Sequence, residues 1–307
     1  MAATRALWGP ARVRWHYRGT GRALPRPPGL PSDRLPAMIW PLGPRRLLPI
    51  DAHAWRVLQA SLPYLRGLDD AQAERMRSLI AAFLSSKTFT GTHGLEPDDA
   101  MRMTIAAQAC LPVLHIGLEP YDDFVEIVVY PSAFAVRRKV TDDDGLVHEF
   151  DDVLAGEAMD GGPVVLSWDD VAGPDRAPAA NVVIHEFAHK LDLADGDADG
   201  CPPMPRAARA RWLEALHAAY DDFVDALEAL EAGLPGDVDP ESEAADAWYA
   251  ALPLDPYAAT DEAEFFAVAA EAFFVEPRAL AGAYPALYAC FVEYFRFDPG
   301  AAAGPAD

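Results

Sequence analysis

The amino-acid sequence predicts an α+β fold, mainly helical with a small β-sheet, from three observations. Apolar residues recur at helical spacing over most of the chain, short β-branched runs interrupt them, and the two kinds of segment do not alternate as in a βαβ protein.

Residues 54–65 and 71–84 carry apolar side chains at helical spacing, the second through Met76, Leu79, Ile80, Phe83 and Leu84, with Asp69 and Asp70 placed to cap it. Asp98 and Asp99 open a third helix through Met103, Ile105 and Cys110. Residues 124–130, ended by Pro131, and 163–168, between Gly161-Gly162 and Asp169-Asp170, read as strands. Between them, residues 141–145 form a turn and 146–150 a further strand. Residues 173–180 are a Pro/Ala/Asp loop, after which a helix starts at Asn181 and carries His185 and His189. Residues 207–230 are helical, with Trp212, Leu216, Tyr220, Phe223 and Leu227 on one face. Residues 233–242 are an acidic surface loop, and two last helices cover 261–274 and 285–297.

Charge divides the chain. Residues 1–46 hold nine Arg, no Lys and the single acid Asp33, a net of +8, together with eight of the 28 prolines. They show no apolar period, so they cannot bury enough surface to offset their ordering entropy and are expected to be a disordered leader. Met38, followed by Ile39-Trp40-Pro41, is the expected true start. Residues 47–299 are then one domain and 300–307 a frayed tail.

At 307 residues, 51% hydrophobic, the chain is long enough to bury a sizeable core, and global disorder is excluded. No apolar run approaches the roughly 18 residues of a membrane-spanning helix, so no membrane partner is expected. With 48 Asp+Glu against 25 Lys+Arg, formally −23, a general nucleic-acid-binding surface is excluded. Cys110, Cys201 and Cys290 are odd in number and widely spaced, which indicates neither a disulfide framework nor a thiolate metal site and fits a reducing cytoplasm.

The chemistry is carried by residues 185–189, His-Glu-Phe-Ala-His. On a helix, positions i and i+4 share a face with Cβ atoms about 5–6 Å apart, so two imidazoles can meet one metal ion. Glu186 projects beside that ion, where it can take a proton from water. Eight His and 17 Glu in this chain give about 0.01 chance occurrences of the pattern. A catalytic zinc takes a third protein ligand, and the candidates are Glu264 and Glu271, seven residues apart and so nearly eclipsed on one helical face. One carboxylate can bind metal while the other orients a histidine. Glu264 also has the spacing for a capping box with Asp261, and Glu271 for an ordinary helix-pairing carboxylate. Asp192, one turn past His189, either anchors an imidazole or caps the helix end. The acidic run 195–200 opens like an EF-hand loop, but Arg206 stands where the bidentate Glu belongs, so calcium is not expected.

The stretches 107–114, 161–168, 181–192 and 257–268 resemble the Mlc titration factor A family of zinc metallopeptidases, a resemblance running from about Met38 to Pro299. It implies a zincin-like metallopeptidase fold built around the His-Glu-x-x-His helix, with a catalytic region like that of anthrax lethal factor. It implies one Zn2+ held by His185, His189 and Glu264, with Glu186 as the base. His148 matches a histidine of the family's metal site, while its own neighbourhood places it on a strand face with Leu146 and Phe150; if it reached the zinc, the coordination shell would be closed and the enzyme latent. Tyr257 is either an oxyanion donor or an aromatic packed in a loop. The strand at 163–168 is expected to pair with an extended peptide substrate. The family implies a cytoplasmic, aminopeptidase-like enzyme that in enteric bacteria binds the sugar-uptake repressor Mlc, so a repressor of that kind is the expected partner. The alternative is a non-catalytic regulatory protein with a vestigial zinc site that sequesters a transcription factor.

Overall fold

Five helices start where a short acid or amide accepts the first free N–H groups. A computed structural model describes residues 50–141, 147–154, 156–158, 161–172, 180–240, 242 and 245–302, and the expected leader at 1–46 lies outside them. Asp51 caps α1 (Ala52–Ser61), Asp69 forms a full capping box with Gln72 on α2 (Asp70–Ser86), and Asp98 caps α3 (Asp99–Cys110). Asn181 caps α5 (Val182–Asp192) and Asp261 caps α8 (Glu262–Val275), while α4 is the short Trp168–Ala172. The remaining helices are α6 (Arg206–Ala232), α7 (Asp246–Tyr249), α9 (Pro277–Ala283), α10 (Pro285–Phe295) and α11 (Pro299–Ala302).

The helix expected at 54–65 breaks at Leu62, because Pro63 has no N–H to continue it; residues Pro63–Gly67 form a separate 3₁₀ turn. The helix expected to reach 297 stops at Phe295, where Arg296 takes a left-handed backbone (φ 53°). Residues 300–302, part of the tail expected to fray, belong to the short α11 that Pro299 opens.

The sheet is smaller in span and richer in strands than the sequence predicts. β1 (Thr88–Gly91), β2 (Glu126–Tyr130) and β6 (Val164–Ser167) run parallel, and β5 (Gly156–Ala158) closes the edge antiparallel, in the order β1-β2-β6-β5. A separate antiparallel ribbon pairs β3 (Phe134–Thr141) with β4 (Val147–Leu154). The strands expected at 124–130 and 163–168 are β2, which starts two residues later, and β6, which is one residue shorter at each end, Trp168 already belonging to α4. The strand expected at 146–150 is the first part of β4, and the rest of the expected turn after Thr141 lies outside the described residues. β6 lies between β2 and β5, so its expected pairing with a substrate is corrected: both of its edges are already bonded within the sheet.

The core gathers around two helices buried on every face. In α5 all eleven residues are buried, and Phe187 is ringed by Phe83, Tyr121 and Phe124 at centroid distances of 5.6, 4.9 and 5.9 Å. In α8, Phe266 meets Trp212 of α6, and Phe273 stacks on Phe295 of α10 at 5.4 Å. A helix apolar all round belongs inside a protein, and no described helix is long and apolar enough to cross a membrane.

Asp192 closes α5. Its Oδ2 accepts the N–H of Gly200 at 2.9 Å, and Trp212 Nε1 donates to the carbonyl of Gly200 at 2.8 Å, so the acidic loop returns to the helix it left. Gly200 sits at φ +72°, and a Cβ there would lie 2.5 Å from the carbonyl oxygen of Glu262. The loop's carboxylates are engaged locally: Asp199 binds Arg209 at 2.8 Å and also accepts the N–H of Cys201.

Burial pushes the Asp192 carboxyl up to about 8, against the opposing hydrogen bond from Gly200. The folded state therefore holds this proton more tightly than the unfolded chain, and the group's contribution to stability falls as pH rises from about 4 to 8. Urea titrations should show Asp192→Asn gaining on the parent between pH 5 and pH 8, by at most about 4 kcal/mol. A pH-independent difference between the two would contradict this.

Candidate metal centre

Two local devices aim the centre. The side chain of Asn181 accepts the N–H of Ile184 at 3.1 Å and so starts α5, which sets His185 and His189 one turn apart on the same face. Asp261 accepts the N–H of Glu264 at 2.9 Å and so starts α8, which packs against α5. The expected capping box is therefore half made: Asp261 does its part, while the Glu264 carboxylate reaches the imidazoles.

Three atoms converge. Nε2 of His185 and Nε2 of His189 are 3.2 Å apart, and Oε2 of Glu264 stands 3.1 Å from the first and 3.2 Å from the second. All three residues are buried, and together they are the group among the described residues that could hold a metal ion. Tetrahedral ligands at bonds of about 2.0–2.1 Å stand about 3.3 Å apart, and two His with one Glu is a donor set that zinc hydrolases use. The residues present fit a metal of that kind.

Glu271 works from the other side. Its Oε1 lies 2.8 Å from His185 Nδ1, and its second oxygen accepts the N–H of Asn181. The seven-residue spacing on α8 thus clamps one imidazole at both nitrogens, Glu264 at Nε2 and Glu271 at Nδ1. Burial alone would lower the basicity of His185, but its hydrogen bonds to the two carboxylates outweigh burial and raise it to about 10. Burial would raise Glu264, yet the nearby imidazoles hold it well below the usual carboxylate range.

Glu186 is fully buried, and both of its oxygens lack a hydrogen-bond partner among the described residues. Desolvation pushes its carboxyl well above the ordinary range, with Glu264, Glu157 and Glu271 reinforcing and His185 opposing. It fits under the edge strand only because residue 156 is glycine: a Cβ there would stand 2.4 Å from Oε1 of Glu186.

Tyr257 borders the cluster. It is half-buried on the 3₁₀ turn Pro256–Ala259, its ring centroid is 6.1 Å from that of His185, and its phenol hydrogen-bonds the Glu264 carboxylate. Burial and the Glu264 charge push the phenol well above its usual range, so it stays a donor. His148 stands in β4 opposite Val140, and its side chain lies outside the described residues, as does any reach to the metal. Asp192, offered by sequence as an imidazole anchor or helix cap, instead bonds Gly200.

Sequence reasoning missed three residues here. Gly156 carries only the weak signal of a lone glycine beside a strand. Glu157, buried on β5, carries none. Lys190 directly follows the motif and is buried, its Nζ bonded to Asp123 at 2.9 Å and to the carbonyl of Gly162 at 3.2 Å, which ties α5 to the turn before β6.

Known proteins resemble the chain over nearly all of this region. Residues 45–296 match the model of a family described as glucose-regulated metallo-peptidase M90. The Mlc titration factor A of Cronobacter sakazakii is 36% identical over 261 residues, covering 85% of this chain and 92% of the relative. That of Klebsiella pneumoniae is 38% identical and that of Escherichia coli O9:H4 36% identical, each over 78% of this chain and 84% of the relative.

Metal analysis of purified protein tests the cluster. Glu264→Gln should carry far less metal than the parent, while Glu262→Gln, on the half-buried side of the same turn, should match it. Equal metal in both variants would remove Glu264 from the centre.

Proposed function

The chain belongs to the glucose-regulated metallo-peptidase M90 family, and we propose that it is a zinc-dependent, aminopeptidase-like peptidase whose zinc is held by His185, His189 and Glu264. The observation that carries this reading is Glu186: a fully buried carboxylate with both oxygens unbonded among the described residues, beside a cluster fit for a metal. A structural metal site has no use for such a group, whereas hydrolysis requires a base.

When bound, zinc supplies Lewis acidity to the scissile carbonyl and to a water molecule, whose pKa it lowers toward about 7. Glu186 takes the proton of that water and returns it to the leaving amine; its raised affinity for protons suits a group that must hold one between the two steps. Glu271 keeps His185 oriented through Nδ1. Tyr257, held protonated, would turn its one phenolic hydrogen from Glu264 to the oxygen on which charge develops. An extended peptide pairs with the outer edge of β5, which carries Gly156 over the base; this recognition reads main chain more than side chains. His148 remains a proposed further ligand that would close the shell in a latent state.

A regulatory role rests on the relatives' name. Those proteins are called titration factors of Mlc, and this chain, with a net charge of −31 outside residues 1–46, is suited to holding a basic repressor. A purely sequestering protein with a vestigial metal site is the second reading that this name supports. A cytoplasmic location is supported by Cys110, Cys201 and Cys290, all free and buried.

Two variants separate the readings in assays with an aminoacyl chromogenic substrate. Glu186→Gln should keep the parent's metal content and lose about 10²–10⁴-fold in turnover. Gly156→Ala should also keep the metal but lose about 10-fold or more, because the new Cβ displaces the base. Equal, background hydrolysis by the parent and Glu186→Gln would favour the sequestering protein.

A further inference from the structure

Behind the metal cluster, a line of hydrogen bonds, buried at Glu271 and partly buried at Tyr64 and Gln108, leads away from His185. Gln108 of α3 donates from Nε2 to the carbonyl of Thr104 at 3.2 Å, which turns its Oε1 outward. The Tyr64 hydroxyl, on the 3₁₀ turn before α2, donates to that Oε1 at 3.1 Å and accepts from Nδ2 of Asn181 at 3.1 Å. Asn181 then donates its backbone N–H to Glu271, and Glu271 holds Nδ1 of His185.

The direction of every link is fixed. An amide nitrogen can only donate and an amide oxygen only accept, so the Thr104 carbonyl orients the Gln108 amide, and that amide decides where the Tyr64 proton points. The lone pairs left on the Tyr64 oxygen then face the Asn181 amide. Asn181 is gripped at three points: Oδ1 by Ile184 N–H, Nδ2 by Tyr64 and N by Glu271. The two side-chain bonds restrain the residue from which the backbone N–H reaches Glu271, so loosening them loosens the position of that N–H. Inside a low-dielectric core each such bond strengthens its neighbours.

We propose that Tyr64 is a positioning residue for the metal-binding imidazole of His185, acting through Asn181 and Glu271. This rests on the reading of His185 as a zinc ligand. Tyr64 acts at one remove, through Asn181; its effect is to help hold the Glu271 carboxylate in the place that fixes the His185 ring.

The test is zinc affinity of the full-length chain, measured by chelator competition, with folding checked by circular dichroism. Glu271→Gln should weaken zinc about 10–100-fold, as expected for a group that orients a ligand. Tyr64→Phe should weaken it by a smaller factor, about 3–10-fold, and should have no further effect when Glu271 is already Gln. Gln108→Leu, which frees the far end of the line, should act in the same direction and carries the test if Tyr64→Phe does not fold. Unchanged affinity, or an equal loss in the Glu271→Gln background, would overturn the proposal. A parent chain that binds no zinc would instead overturn the metal reading; the Nδ1–H proton resonance of His185 in the metal-free protein would then decide, broadening in Tyr64→Phe if the line positions the ring and staying unchanged if it does not.

Discussion

The constraint on which this structure turns is the burial of one imidazole between two carboxylates. Glu264 and Glu271 lie seven residues apart on a helix that is otherwise aromatic and aliphatic, and they take the two nitrogens of His185. Ionised groups survive without water only when each is paired and hydrogen-bonded. Much of the local architecture serves that pairing: Asn181 and Asp261 set where the two helices begin, and Asn181 also supplies an N–H to the second oxygen of Glu271. Aromatic rings from α6 and α10 cover the remaining faces of α8.

A second set of buried charges holds the other face of α5. Phe124 lies between two ammonium groups, Lys87 at 3.9 Å and Lys190 at 4.7 Å from its centroid. Lys87 also donates to the carbonyls of Tyr121 and Phe124, and burial, only partly offset by Asp123, lowers its basicity to about 8. Lys190 binds Asp123 itself. Since Lys190 adjoins His189, the segment that leads into β2 and the turn that leads into β6 are fastened to the same helix that carries the motif. The sheet and the metal cluster therefore share one anchor, and β5 is held at a fixed height over Glu186.

The parts of the site legible in sequence are those with local causes. The His-Glu-x-x-His pattern needs only helical periodicity, the Asn181 and Asp261 caps need only one turn, and the clamp of Glu264 and Glu271 follows from a seven-residue spacing. What the sequence hid depends on distant pairing. β5 reads Gly-Glu-Ala, with no β-branched residue, and β1 reads Thr-Phe-Thr-Gly; both are strands because β6 and β2 offer them hydrogen bonds. For the same reason nothing local in Val-Val-Leu-Ser reveals that both sides of β6 are taken. Lys87 and Lys190 carry no sequence signal of burial, since lysine is mostly a surface residue. Nothing local marks Tyr64 or Gln108, since Tyr64 bonds Asn181 117 positions away and Gln108 bonds Tyr64 44 positions away.

Glu186 breaks the rule that the other buried polar groups of the cluster obey. His185, Glu264 and Glu271 all hold one another, whereas Glu186 has been taken out of water with no described partner and a glycine cleared to make room for it. A fold selected for stability alone would fill that position with an apolar side chain, since an unpaired buried carboxyl costs free energy in either protonation state. Residues that a fold keeps at such a cost cluster at sites where chemistry is done. The same group also lies under β5, one of the two edge strands of the four-stranded sheet, where the proposed peptide would pair. The site is thus least satisfied at the proposed base and best satisfied at the proposed ligand His185.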